Sequence, residues 1–371
     1  MSIKNIGNIC VIGSGVIGLS CADLLLKLGY NVTLYTAQDP RSAPLTPEFA
    51  SLFPAASIIP HSVSSNKLSQ IFLDSKDCFE ALYKAHFPGI SKNLHFELFS
   101  EECSLPGYVS MMDKFQAWED LEQTFYPRHP EVDVVHGWKF ECFFADWSLY
   151  FDALLNEVLS QEADLVIKKI SPEEVSKLPF EYIINCAGMG VVSLFEETEN
   201  LIYRGHLIQI PGAPMLRSPD GKTVSYNFTP GANIYQTKDG NLQDVYCYPR
   251  HDGWVFGGSR QQGKLDENGN WNGDSHLPPT EIINGIEVPV QILKLNHEII
   301  EHSFGVGADK FPTRKAKLGY RYVRNNENGL RIEVEEFGNK LIIHNYGHGG
   351  SGVALSWGSA LKVIRLLDKL H

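Results

Sequence analysis

The chain has 371 residues, 43% hydrophobic and 11% aromatic, with 32 Lys+Arg against 44 Asp+Glu and a formal net charge of −12. That length predicts two or three structural units with ample core, which excludes disorder as the main state. The acidic balance argues against nucleic acid as a partner, since phosphate-backbone binding needs clustered cations.

Ile9-Cys10-Val11-Ile12 is a short apolar run ending in glycine and predicts a strand. Val16, Ile17, Leu19, Ala22, Leu24, Leu25 and Leu28 recur at near-helical spacing, and Gly29 ends the run. Val32-Thr33-Leu34-Tyr35 predicts a second strand, which completes a βαβ unit with parallel strands. Residues 38–66 are rich in Pro, Ser and Ala without a period and predict a long loop passing over a ligand. Residues 67–86 predict a helix, and 94–140 irregular strands and turns. Leu149 to Leu159 predicts an amphipathic helix, and Tyr182 to Cys186 a buried strand entering Ala187-Gly188. Beyond Gly205 the pattern turns β-like, in HLIQI, VYCYP and GWVFGGS. Residues 261–282 are polar and predict a loop; 291–302 predict a helix. Leu341-Ile342-Ile343-His344 predicts a strand, followed by a glycine cluster and a helix from about Val353 to Leu370.

The chain thus opens and closes on strand–glycine–helix elements. The predicted class is α/β: a Rossmann-like domain built from discontinuous segments (1–60, 142–205 and 335–371), plus an inserted β-rich α+β domain (61–141 and 206–334). Seven scattered cysteines without a CxxC predict reduced thiols in an intracellular, cytoplasmic protein. The early first strand leaves no room for a signal peptide, and no apolar run reaches the length of a membrane span.

Gly13-Ser14-Gly15-Val16-Ile17-Gly18 is a GxGxxG turn between a strand and a helix. Its glycines permit the turn, close approach of backbone to a pyrophosphate, and tight helix–strand packing. The second strand ends Tyr35-Thr36-Ala37-Gln38, with Asp39 late for the usual ribose-binding acid. Asp39, the backbone or Thr36 is left to hold ribose. Arg41 is either a phosphate or adenine contact or a solvated surface cation. His344-Asn345-Tyr346-Gly347-His348-Gly349-Gly350-Ser351-Gly352-Val353 carries four glycines in six residues between a strand and a helix. Such a segment lets main chain approach a flat ligand, and the helix start favours an anion there. A metal site from His344 and His348 is disfavoured, because no carboxylate is adjacent and the intervening residues do not make a helix; no metal is predicted.

IHNYGHGGSGVALSWGSA resembles the carboxy-terminal signature of the D-amino-acid oxidase family, which includes D-aspartate oxidase. VIGSGVIGLSCA near the amino terminus is similar too, as are Arg41 to Thr46 with Ala55-Ala56-Ser57, IINCAG at 183–188, and Arg204-Gly205-His206. The resemblance implies non-covalent FAD in the discontinuous domain and a substrate-binding role for the inserted one. It implies hydride transfer from the α-carbon of a small amino acid or amine to flavin N5. The imine then hydrolyses to a keto acid and ammonia, and dioxygen is reduced to hydrogen peroxide. A D-amino acid is the default substrate; a homodimer is compatible with the family.

Carried over by the resemblance, Tyr246 contacts the substrate carboxylate, and Gly350 holds the substrate amine through its carbonyl. Gly349, Gly350, Ser351, Gly352, Val353 and Ala354 line the flavin ring. Thr36, Arg41, Thr46, Ala56, Ser57, Ile170 and Gly188 join residues 13–18 around the rest of FAD. An ordinary strand aromatic remains the alternative for Tyr246, and Tyr248 is expected to face the other way. One departure is plain: the family's carboxylate-clamping arginine is replaced by Phe311, with Lys310 before it. Arg314 matches a second family arginine, and Arg321, Arg324 and Arg331 follow an apparent insertion. The departure keeps open glycine, a secondary amine or a carboxylate-masked amino acid as substrate, a dehydrogenase, and a flavin-binding protein without turnover. A nicotinamide enzyme fits less well, because it does not require the second glycine-rich approach.

Overall fold

The computed structural model describes residues 7–42, 46–61, 68–197, 201–266, 271–273, 279–324 and 329–370. The chain forms two compact units: Met1–Ile90, Trp147–Ile202 and Arg321–His371, and Ser91–Asp146 with Tyr203–Tyr320.

The first unit is built on a six-stranded sheet. Its order is Arg331–Phe337, Lys340–Tyr346, Tyr182–Asn185, Asn8–Ile12, Asn31–Thr36, Asp164–Ile167. All neighbours are parallel except the first pair, which is a hairpin. The strands Asn8–Ile12 and Tyr182–Asn185 lie inside the sheet, which explains their near-continuous apolar runs. The helix Val16–Leu28 stops at Gly29, whose φ of 96° closes the last turn. The helix Gly352–Leu367 packs on helices Val16–Leu28 and Leu68–Lys84. At Gly358 a Cβ would fall 1.8 Å from the Ile71 carbonyl oxygen, so only glycine allows that approach.

The second unit is a ten-stranded sheet with mostly antiparallel neighbours. Its order is Trp271–Gly273, Gln261–Leu265, Leu201–Pro211, Gly253–Gly257, Val245–Arg250, Val224–Thr229, Ile90–Phe99, His136–Ala145, Asp113–Gln116. The tenth strand, Lys315–Val323, pairs with Leu201–Pro211. One face carries Phe96, Leu98, Tyr226, Phe228, Val245, Cys247, Trp254 and Phe256 and buries them against helix Val290–Phe304. Side chains alternate along a strand. The opposite face therefore presents His95, Glu97, Ser225, Asn227, Asp244, Tyr246 and Tyr248, all of them buried.

Two expectations need correction, the loop at 261–282 and the domain cuts. The polar stretch 261–282 holds a hairpin, Gln261–Leu265 with Trp271–Gly273, where the Trp271 ring lies over Gly263; residues 267–270 and 274–278 lie outside the described residues. The apparent insertion after Arg314 supplies two strands, Lys315–Val323 and Arg331–Phe337. The cuts at 60, 141, 205 and 334 also shift. Helix Leu68–Lys84 belongs to the first unit because it packs on the last helix, and Arg331–Phe337 because it pairs with Lys340–Tyr346. Of the loop expected at 38–66, Ala43, Pro44, Leu45 and 62–66 lie outside the described residues; Ala50–Leu52 is one helical turn.

Candidate functional site

In the first unit the glycine turn follows the strand Asn8–Ile12. Gly13 has φ 107°, and a Cβ there would sit 2.3 Å from the Cys186 carbonyl oxygen. At Gly18 a Cβ would sit 1.9 Å from the Gly13 oxygen, so the turn closes only on hydrogen atoms. Ser51 Oγ accepts from the Val16 N–H at 2.9 Å, and a Cβ on Gly15 would come 2.8 Å from it. Ile17 follows within the helix. Ser14 and Thr36 are buried, and Ser14 Oγ donates to Thr36 Oγ1 at 2.8 Å. Thr36 in turn donates to the Gln38 carbonyl at 2.8 Å. Both hydroxyls thus tie the turn to the second strand.

Arg41 forks onto Asp39, with Nε 2.8 Å from Oδ1 and Nη2 2.9 Å from Oδ2, and this pairing holds the Asp39 carboxyl below its ordinary range. Thr46 is fastened to Gln38, whose Nε2 lies 2.6 Å from Thr46 Oγ1. Ala56 is buried at φ 77°, a left-handed backbone that costs a side chain about 1–2 kcal/mol; Ser57 follows it. Ile170 packs in the core with Cys10 and Ile12. Gly188 turns at φ 57° after the strand Tyr182–Asn185, with open space around its missing Cβ.

At the far end of the chain, Gly347 (φ 86°) and Gly349 (φ 53°) lead through a single turn, Gly349–Ser351, into the helix Gly352–Leu367. Gly350 is exposed main chain; Ser351, Val353 and Ala354 are buried. The two histidines of this segment behave differently. His344 is held between Asn185 Nδ2 (2.9 Å) and Glu335 Oε2 (3.0 Å). His348 is buried, and among the described residues its Nε2 has no hydrogen-bond partner. Burial pushes His344 down to about 4, with the Arg331 charge adding to it, and pushes His348 to about 3. Both are neutral at pH 7, whereas in the unfolded chain they titrate near the ordinary value of 6.5. The unfolded state therefore binds the extra protons, and stability falls as pH drops from about 6.5 towards about 4. Burial pushes His297 of helix Val290–Phe304 down to about 4 as well, so urea titrations at stepped pH should show about three protons taken up on unfolding across that window; a flat profile would contradict the burial.

Arg324 and Arg331 lie in the first unit and are engaged there. Arg324 Nε is 3.0 Å from Glu197 Oε2, to which Tyr346 also donates at 2.7 Å. Arg331 reaches Glu333, Glu335 and the Tyr346 hydroxyl. Arg321 lies in the strand Lys315–Val323.

In the second unit Tyr246 lies in the strand Val245–Arg250 with its ring across Gly257, where a Cβ would come 2.1 Å from the phenol. Tyr248 shares its face, contrary to expectation. Residues two apart on a strand point the same way, and the two rings lie 5.1 Å apart. Arg314 is not brought to Tyr246. It pairs with Glu281 at 3.3 Å and sits beside His297 of helix Val290–Phe304, on the opposite side of the sheet. Phe311 lies on that side too, 5.5 Å from the Trp254 ring.

Two cations lie within electrostatic reach of Tyr246: Arg250, buried at the end of the same strand, and Arg260, which no motif in the sequence signalled. Asp244, two residues before Tyr246 and on the same face, pairs with Arg260 Nη1 and holds the guanidinium firmly charged. Gln243 Oε1 accepts from the Arg260 N–H at 2.9 Å. Gly258 makes the crossing possible, since a Cβ there would fall 1.9 Å from the Asp244 carbonyl oxygen. Arg260 lies within electrostatic reach of Tyr246 and Glu97. Its side chain is 46% exposed.

A model of the family described as FAD dependent oxidoreductase (DAO) matches residues 8–366. A D-amino-acid oxidase of Fusarium vanettenii is 26% identical over 386 aligned residues, covering 98% of this chain and 97% of its own. The D-aspartate oxidase of Homo sapiens is 23% identical and covers 97% and 94%. Among solved structures, glycine oxidase from Geobacillus kaustophilus superposes with a TM-score of 0.66 at 15% identity, covering 97% of this chain and 94% of that one. FAD is the cofactor of the matched family, and the residues present suit it. The glycine turn admits backbone where phosphates need it, and His348 offers a buried, unpartnered ring nitrogen within the terminal glycine segment.

Proposed function

This chain belongs to the FAD dependent oxidoreductase family, and from that premise we propose that it oxidises the C–N bond of an amino acid or related amine, a D-amino acid by default. FAD, when bound, supplies the hydride acceptor. The first unit carries the cofactor through residues 13–18, Thr36, Arg41, Thr46, Ala56, Ser57, Ile170, Gly188 and 349–354. The second unit carries the substrate. Tyr246 and Arg260 take the carboxylate, the hydroxyl donating one hydrogen bond and the fork supplying charge. The Gly350 carbonyl accepts from the amine. The products are a keto acid and ammonia, with dioxygen reduced to hydrogen peroxide, in the cytoplasm.

The observation that carries this reading is the Asp244–Arg260 pair on the Tyr246 face, a fixed planar cation beside a phenol. It supplies what the replacement at Phe311 removes. A screen of amines and D- and L-amino acids with peroxide detection tests it: turnover of free amino acids supports it. Turnover confined to carboxylate-masked amines favours the second reading, which rests on Phe311 packing in the core. A flavin reduced by an amine without peroxide on aeration makes the protein a dehydrogenase, and no reduction by any amine makes it non-catalytic.

Tyr246→Phe removes one hydrogen bond to a charged group, a loss of about 1.5–3 kcal/mol. KM for the free acid should rise roughly ten- to a hundred-and-fiftyfold while FAD affinity stays unchanged. Unaltered kinetics would take Tyr246 out of the site.

A further inference from the structure

We infer that the second unit carries a further ligand site, a cleft at the edge of its sheet that takes a small organic phosphate. Lys114, Lys139 and Lys222 would hold the phosphoryl group, and Leu94 and Phe125 the apolar body. The inference is independent of the amine-oxidation reading. The cleft has a volume of about 460 Å³, which falls in the range of small-molecule sites.

The strand pattern puts this cleft on the other side of the sheet from Tyr246. The Phe140 ring lies 5.3 Å from the ring of His95, which belongs to the Tyr246 face. Side chains alternate along a strand, so Lys139 and Glu141, either side of Phe140 in the strand His136–Ala145, point the opposite way. The last strand of the sheet, Asp113–Gln116, pairs there, with Gln116 opposite Lys139 and Asp113 opposite Glu141. Leu94 and Phe125 pack against the apolar core of that side.

One carboxylate gathers two of the cations. Glu141 Oε1 accepts from Lys114 Nζ at 2.9 Å and lies 3.2 Å from Lys222 Nζ, whose other partner is Asp220 at 3.4 Å. Lys139 differs. Its Nζ donates to Thr124 Oγ1 at 3.3 Å, and among the described residues no carboxylate lies within ion-pair distance of it. Burial holds the Lys139 ammonium below its ordinary range, with the Lys222 charge adding to the effect and Asp220 opposing it. Three ammonium groups against two carboxylates leave the cleft net positive, in a chain of net charge −12. Exposed ion pairs are worth little to folding, so stability alone does not account for cations gathered around a cleft. The donors are ammonium groups rather than a planar fork, which suits a tetrahedral anion better than a flat carboxylate. A phosphate monoester brings about −1.5 to −2 charges at pH 7 and three acceptor oxygens, and Leu94 and Phe125 offer apolar surface to its organic group.

The test titrates full-length, FAD-saturated protein calorimetrically with phenyl phosphate, inorganic phosphate and benzyl alcohol, so that the cofactor's own phosphate cradle is filled. Wild type should bind phenyl phosphate at least about tenfold tighter than inorganic phosphate, and benzyl alcohol not measurably. Lys139→Gln should weaken phenyl phosphate by about tenfold or more, the worth of a charge-assisted hydrogen bond, and leave FAD affinity unchanged. Arg260→Gln, on the other face, should leave phenyl phosphate affinity within about twofold of wild type at about 0.15 M salt, where distant charges are screened. No binding of phenyl phosphate, no preference for it over inorganic phosphate, or affinity that survives Lys139→Gln or falls with Arg260→Gln overturns the inference. Should Lys139→Gln fail to fold, Lys222→Gln decides, because that side chain is 44% exposed: a similar loss supports the site and unchanged affinity overturns it. None of these probes is an amine, so the result is judged apart from turnover.

Discussion

Gly13→Ala is expected to give protein that no longer retains FAD. Two independent obstacles meet at this position. The backbone sits at φ 107°, where an L side chain is strained, and the added Cβ would lie 2.3 Å from the Cys186 carbonyl oxygen. That oxygen belongs to main chain just beyond an interior strand, so it cannot swing aside as a side chain would. Gly13 N–H also donates to the Tyr35 carbonyl at 2.8 Å, and Cys186 N–H to the Ile12 carbonyl at 2.8 Å. Relief would have to open the turn between three adjacent strands. Strain and overpacking together cost about 2–5 kcal/mol. Because the same turn must present its N–H groups to the phosphates, the loss should appear first as FAD affinity, by about a hundredfold or more, and only second as a lower Tm. Fluorescence titration of apoprotein with FAD measures it. Affinity equal to wild type would remove residues 13–18 from the cofactor site.

Arg260→Gln should lower kcat/KM for a free amino acid by roughly ten- to a hundred-and-fiftyfold, the worth of a charge-assisted hydrogen bond of about 1.5–3 kcal/mol. The effect should fall on KM and be much smaller for the corresponding amino-acid ester, whose carboxylate is masked. That contrast separates binding from structure: a variant that merely disturbed the sheet would harm both substrates alike. Arg314→Gln, by contrast, removes a cation paired with Glu281 on the helix-covered face and should leave the free-acid KM within about threefold of wild type. If Arg314→Gln abolished carboxylate binding while Arg260→Gln spared it, the assignment of faces would be reversed.

What could be read from sequence was whatever glycine spacing and apolar periodicity encode locally. The turn at 13–18, the parallel strands either side of it, and the glycine segment before the last helix all depend on main-chain geometry within a few residues. The substrate face depends on partners far apart in the chain. Glu97 meets Asn227 only because two parallel strands align across 130 residues of sequence, and no local pattern records that register. Arg260 follows Gly257-Gly258-Ser259 and carries no motif; its ion pair comes from Asp244, the residue before the strand Val245–Arg250. Arg314 matches a second family arginine by resemblance, which says nothing about the face it occupies. The hairpin at 261–273 was hidden by its polar composition. Its packing rests on Trp271 over Gly263 and on the Arg204 guanidinium 4.0 Å from the Trp271 ring, rather than on an apolar run.

The most direct test of the account is anaerobic mixing of FAD-saturated protein with each member of an amino-acid panel, followed through the visible flavin band. The account predicts that at least one amino acid bleaches the band and that keto acid and ammonia form in equal amounts, one of each per flavin reduced. A band that stays intact with every amino acid and amine offered would contradict it.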